Sequence, residues 1–332
     1  MSQEMVYAPV AISACYRDEH LNRCIQSLKK NTYADKTELY ISVDYPPSES
    51  RTEGWEKVCR MLKNPIEGFD KVHVYFQKHN LGLSGNYQFL EKTVFAKYDR
   101  LIHTEDDNEF SVNFLTYMNK GLALYKDHPT VYGIVGYAHD YQFNCGENNV
   151  VALTDFSAWG MGIWREKEKI IHEQLTMENW LRAAQNYRLM WKLYSRRKKL
   201  FSRMLGTILS TSDADVIPNV DVNRGIFLAL NGFCTINPIK SKVRNWGWDG
   251  SGLHTKGSAE ENILQTNLEL DEDEDFEFRL KGGVQTSKFN DRLLDDNNRW
   301  GRERVKWYND PMLYLLYRLL GKDRFLRFTH RR

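Results

Sequence analysis

No stretch of this chain stays apolar for the roughly 18–20 residues that a helix needs to cross a bilayer. Met1–Pro9 also lacks the apolar core of a signal peptide, so a cytoplasmic protein is expected. The five cysteines, Cys15, Cys24, Cys59, Cys145 and Cys234, are odd in number, scattered, and include no Cys-x-x-Cys pair. That excludes a zinc site of paired cysteines and reads as reduced thiols. A net charge of only +2 gives no basic field for nucleic acid, and no such partner is expected. The strand–helix units carry neither Gly-x-Gly-x-x-Gly nor Gly-x-x-x-x-Gly-Lys, which removes dinucleotide and P-loop readings. Internal repeats and low-complexity linkers are missing as well.

What is present is alternation. Apolar runs at Pro9–Ala14, Leu39–Val43, Lys71–Phe76 and Val131–Gly136 read as strands. Between them, Leu21/Ile25/Leu28, Trp55/Val58/Cys59/Leu62 and Tyr87/Leu90/Val94 recur at helical spacing, the last after the glycine-bearing turn Leu81–Gly85. Alternating strands and helices argue for a mostly parallel sheet covered by helices on both faces. After Gly136 the character changes. Thr154–Trp164 sets two tryptophans around two glycines. A helical, basic region follows over Trp180–Leu205, where Arg196–Lys199 reads as a solvated helix face. Asp221 opens a helix that should end at Asn231-Gly232. Asn245–Thr255 is a glycine-rich loop, Asp271–Asp275 an acidic run, and Pro311–Arg332 a tail of leucines, phenylalanines and arginines.

The chain is organised around Asp99–Asp107, a buried strand with Leu101 and Ile102 that ends in Glu105, Asp106 and Asp107. Ligands of open α/β sheets bind beyond the carboxyl ends of the strands. Three adjacent carboxylates repel each other unless a hard cation neutralises them, although an acidic turn before a helix at Ser111 would look the same. Asp44 ends its own strand, so in a parallel sheet Arg17, Asp44 and the triplet share one rim. There an aspartate can accept a nucleobase N–H and an arginine can pair with base or phosphate oxygens; a plain turn before Pro46-Pro47 is the alternative. Trp159-Gly160 offers an aromatic face with room for a sugar ring, or simply core packing. His254 follows the glycine-rich loop, and its imidazole suits manganese, though a surface histidine is the simpler reading.

In this order the features resemble a glycosyltransferase of the GT-A fold, and specifically N-acetylglucosaminyltransferase I and its bacterial surface-polysaccharide relatives. The resemblance covers Val10 to about Thr255 and implies a Rossmann-like GT-A sheet with an elaborated helical C-terminal part. It implies that Glu105-Asp106-Asp107 takes the place of Asp-x-Asp, with Asp107 the direct ligand of Mn2+ or Mg2+. It places Arg17 and Asp44 on uracil and brings Asn86, where the animal enzyme has histidine, to the base. It sets Trp159-Gly160 at the donor sugar and makes Asp221 the catalytic base, with Asp249 as competitor.

The expected organisation is therefore a nucleotide-sugar half over residues 1–136, a donor-sugar and acceptor half over 137–260, and a C-terminal extension over 261–332. The expected function is metal-dependent, inverting transfer from a UDP-sugar to a saccharide or lipid-linked saccharide in surface-polysaccharide synthesis. The tail is expected to lie peripherally on an anionic membrane at its inner face. The rival readings are a sugar-phosphate nucleotidyltransferase and a non-catalytic glycan-binding protein.

Overall fold

Three short strands whose residues are all or nearly all buried set the frame. These are β1 (Val10–Ala14), β2 (Glu38–Val43) and, from the acidic stretch, β4 (Arg100–Glu105). β-branched and other apolar side chains on both faces of these strands fit a sheet covered on both sides. With β3 (Lys71–Phe76) they pair in parallel, in the order β3-β2-β1-β4. Register brings the carboxyl ends level: Ala14 lies beside Val43, and Ser13 beside Glu105. A tight turn then leads to β5 (Asn108–Phe110), and β6 (Val131–Val135), β7 (Val150–Leu153), β8 (Met161–Trp164) and β9 (Cys234–Pro238) complete an eight-stranded sheet, β3-β2-β1-β4-β8-β6-β9-β7. β8 is antiparallel to both β4 and β6, so β6 runs in the same direction as the four leading strands. β10 (Val243–Asn245) pairs with β5 in a separate antiparallel ribbon, Asn245 opposite Asn108.

The computed structural model describes residues 6–210, 217, 221–252, 258–296 and 309–329. The helices of the first half are α1 (Asp18–Lys29), α2 (Thr52–Met61), α3 (Gly82–Phe95) and α4 (Phe114–Leu124). α3 packs across β1, β2 and β4, and α4 against β6 and β8. Phe114, Leu115, Tyr117, Met118 and Leu122 of α4 are fully buried, so this helix closes much of the core. It starts three residues after the expected Ser111, because Ser111 and Asn113 are engaged in side-chain hydrogen bonds ahead of it. The architecture is the mostly parallel α/β sheet with a helical C-terminal part that the alternation implies.

By its contacts the chain divides into two compact units. The sheet unit comprises Met1–Ala152, Ser157–Glu168 and Thr235–Gln285. It needs the second stretch because β8 pairs between β4 and β6, and the third because β9 and β10 return to the sheet and ribbon. The helical unit comprises Leu153–Phe156, Lys169–Cys234 and Thr286–Arg332. After α5 (Arg165–Gln174), which leaves the sheet unit, it holds α6 (Met177–Gln185), α7 (Tyr187–Arg196), α8 (Lys198–Ser210) and α9 (Asp221–Asn231). α10 (Ala259–Asn267) belongs to the sheet unit, and α11 (Lys288–Asp296), α12 (Asn309–Leu320) and α13 (Lys322–Thr329) to the helical one.

One expectation is overturned here. Arg196–Lys199 is not a solvated helix face, because α7 ends at Arg196 and α8 begins at Lys198, and the break turns both arginines inward. Arg197 is 4% exposed and pairs with Asp295 at 2.9 Å and with Asp155, while Arg196 pairs with the fully buried Asp291. A buried arginine is tolerated when carboxylates and carbonyls satisfy its planar fork.

Candidate active site

A cleft of about 210 Å³ lies at the carboxyl ends of β1, β2 and β4. The parallel register supplies its floor. Cys15–Arg17 leaves β1, Asp44 leaves β2, and Glu105–Asp107 leaves β4, and all of them line the cleft. Sheet geometry thus brings Arg17, Asp44 and the triplet to one rim, as the sequence implies. Asn86 and Trp159 line the same cleft.

Arg17 is the cation of this rim. Its guanidinium pairs with Asp106, and its Nη1 lies 2.8 Å from Asp107 Oδ2. Burial works against its charge, but Asp106 and Asp107 outweigh that and hold it firmly protonated. Burial and the adjacent Asp107 push the Asp106 carboxyl up, against the pull of Arg17. Part of the neutralisation expected from a metal is therefore supplied by this arginine. Glu105, Asp106 and Asp107 do not converge as a trio of ligands among the described residues, since the chain turns immediately after Glu105.

Asp107 is also where the second half of the chain arrives. Asn245 donates to Asp107 Oδ1 at 2.8 Å and to Asn108 at 3.0 Å, and the Trp246 N–H donates to the Asp107 carbonyl. The β5–β10 ribbon enforces this meeting by pairing Asn245 with Asn108. Gly247 must be glycine, because a Cβ there would collide with Asp107 Oδ2. Beyond it, the Tyr16 hydroxyl donates to the Ser251 carbonyl, and His20 pairs with Asp249 at 3.2 Å. Burial raises the Asp249 carboxyl, but hydrogen bonds from Ser251 and the charges of His20 and Arg17 prevail and hold it below the usual range. His254 lies outside the described residues.

Asp44, at the end of β2, lines the cleft and is itself held by the protein. Its Oδ1 accepts the N–H groups of Tyr45 at 2.9 Å and Leu81 at 2.8 Å, and its Oδ2 accepts Gly82 N–H at 2.9 Å and Asn80 Nδ2 at 3.2 Å. An ionised carboxylate has about four acceptor positions, and all are taken. Burial pushes its pKa up, and these backbone N–H groups offset that only in part. Asp44 therefore caps α3 from the end of β2, satisfying N–H groups that a helix start leaves bare. Gly82 permits the turn, with φ of +70°. Asp44→Ala should cost about 1–3 kcal/mol of stability through the exposed N–H partners, measured by urea unfolding. Unchanged stability with nucleotide binding lost would instead make Asp44 a base reader.

Asn86, 3% exposed, has the opposite problem. Its Nδ2 donates to the Ala14 and Ser42 carbonyls, at 3.4 and 3.2 Å, which fixes the orientation of the amide. Its Oδ1 is buried and has no hydrogen-bond partner. A buried acceptor without a donor costs free energy, and the residue that carries it lines the cleft. Cys15 is the thiol of the cleft. Burial, Asp44 and Asp106 push its pKa up to about 12, so it is no nucleophile near neutral pH.

Trp159 is half-buried and stands edge-on to Tyr137, ring centroids 4.7 Å apart. Gly160 is required by the backbone. Its φ is +63°, and a Cβ would fall 2.9 Å from Phe114 and Val243 side-chain atoms. Asp221 is the first residue of α9 in the helical unit and is exposed. Sequence reasoning assigned no role to His20, Asn80, Asn245 or Gly247, although Asn80 directly precedes the glycine turn and Asn245 and Gly247 lie in the glycine-rich loop.

No known family's profile matches the chain, and no curated protein matches it. Among solved structures, it is similar to S. aureus TarS 1–349 in complex with UDP-GlcNAc, at 10% identity and a TM-score of 0.33, over 50% of this chain and 48% of that one. A mannosyltransferase from Pyrobaculum calidifontis in complex with GDP-Man and Mn2+ overlaps at 10% identity and a TM-score of 0.39, over 69% and 73%. Mouse xyloside xylosyltransferase 1 overlaps at 13% identity and 0.28, over 49% and 69%. The chain spans less than half the length of the TarS chains it matches.

Proposed function

We propose that the chain is a metal-dependent, inverting glycosyltransferase that moves a sugar from a nucleotide-sugar, a UDP-sugar, to a saccharide or lipid-linked saccharide of a surface polysaccharide. The observation that carries this reading is the cleft itself. A buried acidic pair with a resident arginine, an orphaned base-type acceptor and an aromatic face meet at the carboxyl rim of a parallel sheet.

The residues fit a hard cation. Mg2+ and Mn2+ are commonly held by one or two carboxylates, with substrate phosphate oxygens completing the shell, and Asp107 offers such an oxygen on the cleft wall. When bound, the ion supplies positive charge to the departing diphosphate. Arg17 adds fixed charge beside it. The acceptor hydroxyl oxygen attacks the anomeric carbon as the bond to the diphosphate oxygen breaks, the bonding electrons leaving with the nucleoside diphosphate. A carboxylate takes the hydroxyl proton, the part for which Asp221 is the candidate and Asp249 its competitor. A single displacement inverts the anomeric centre, through an oxocarbenium-like transition state. Trp159 presents its ring to the donor sugar.

The base is read by Asn86 rather than Asp44. With its amide N–H groups spent on Ala14 and Ser42, Asn86 has only an acceptor to offer, and uracil presents a single N–H, at N3. N3-methyl-UDP should therefore bind roughly ten- to hundredfold more weakly than UDP, the cost of leaving that acceptor unpaired against a methyl group. Isothermal titration compares the two. Equal affinities would remove Asn86 from base recognition.

A further inference from the structure

We propose that the helical unit docks on an anionic membrane surface through an outward apolar stripe of α12, with α7 beside it. α12 is amphipathic in an unusual sense. Tyr314 and Tyr317 face inward, each 4% exposed, whereas Met312, Leu315 and Leu319 face outward at 56, 49 and 78% exposure. The spacing i, i+3, i+7 puts these three on one stripe. Scattered exposed leucines are ordinary, but an aligned stripe on one helix is the feature that marks a contact surface.

α7 extends it. Tyr187 packs on Tyr314 with ring centroids 5.7 Å apart, and the Arg318 guanidinium lies 4.8 Å over the Tyr187 ring. Tyr187 is 48% exposed, and Trp191, one turn further along α7, is 61% exposed. Tyrosine and tryptophan favour the boundary between headgroups and acyl chains, where a ring can be half wet.

The flanking charge selects the partner. Arg188, Lys192, Arg324 and Arg327 are exposed on α7 and α13, against one exposed acid on these helices, Asp323. Apolar side chains bordered by cations suit lipid with anionic headgroups. A second copy of this chain fits less well, since a two-fold interface would set these cations against their own copies. Phe325, a phenylalanine of the same tail, is 3% exposed and faces inward, so it is not part of the stripe.

The test is co-sedimentation of the full chain with vesicles of phosphatidylcholine alone or mixed with phosphatidylglycerol. Binding is expected only to the mixed vesicles and should weaken as salt rises. Leu315→Glu with Leu319→Glu should reduce it by about tenfold or more. These side chains are exposed, so the unfolding temperature should stay at the wild-type value. Arg324→Glu with Arg327→Glu should reduce binding without touching the apolar stripe. Failure of the wild type to pellet with the mixed vesicles overturns the proposal, as does binding that both variants leave intact. A dimer in light scattering that the leucine variant splits would assign the stripe to a second copy instead.

Discussion

Asp107→Asn is expected to lower glycosyl transfer by about 10²–10³-fold, the usual loss when one preorganised charge-stabilising group is removed from a transition state. The carboxylate is held rigidly: Oδ1 accepts Asn245 Nδ2, Oδ2 meets Arg17, and its carbonyl accepts Trp246 N–H. Asparagine there keeps an oxygen for Asn245 and leaves Asp106 to pair with Arg17, so the fold should survive. It removes the negative charge that a cation needs. Donor-dependent binding of Mn2+ should weaken together with turnover, and the two are read separately by titration and by nucleoside diphosphate release. Full activity of this variant in EDTA would end the metal reading and leave Arg17 as the charge that stabilises the leaving group.

Asp221→Asn should cost about two orders of magnitude or more in turnover, with donor affinity nearly unchanged, as loss of a general base implies. An exposed acid in the first turn of a helix has a simpler role as well, a favourable charge near the helix dipole worth about 0.3–1 kcal/mol. That role predicts a small stability loss and no kinetic change. Asp249 competes for the part of base. Its hydrogen bonds from Ser251 and its pairing with His20 hold its pKa down, which makes it a weaker proton acceptor. If Asp249→Asn abolishes turnover while Asp221→Asn keeps it, the base is Asp249.

Much of the frame was readable because it rests on local signals. The strand ending at Glu105 follows from its apolar run. α9 begins at Asp221 and ends at Asn231, before Gly232, whose φ of +73° only glycine adopts readily. Parallel alternation was enough to bring Arg17, Asp44 and Asp106 to one rim. The roles of these residues were harder to read, because they depend on partners far away in sequence. Asp44 is filled by N–H groups 37 and 38 residues on. Asp107 is held by Asn245, 138 residues away, through a ribbon of two three-residue strands too short to show a periodicity. The same applies to Arg196 and Arg197, which read as solvated until the break between α7 and α8 turns them onto Asp291 and Asp295. Composition reports that a residue is charged; only the path of the chain decides whether the charge meets water, a carboxylate or a ligand.

The most direct measurement is thermal unfolding of the wild-type chain against a panel of nucleotide-sugars, with and without Mn2+. A ligand that binds only the folded state stabilises it by mass action, about 2.7 kcal/mol at a hundred times its Kd. One UDP-sugar should raise the unfolding temperature when Mn2+ is present and much less in EDTA, and N3-methylation of its uracil should abolish most of the shift. If no nucleotide-sugar or nucleoside diphosphate moves the transition at saturating concentration, the cleft does not bind this class of donor. A shift with a nucleoside triphosphate and sugar phosphate would then indicate a nucleotidyltransferase, and a shift with glycans alone a binding protein.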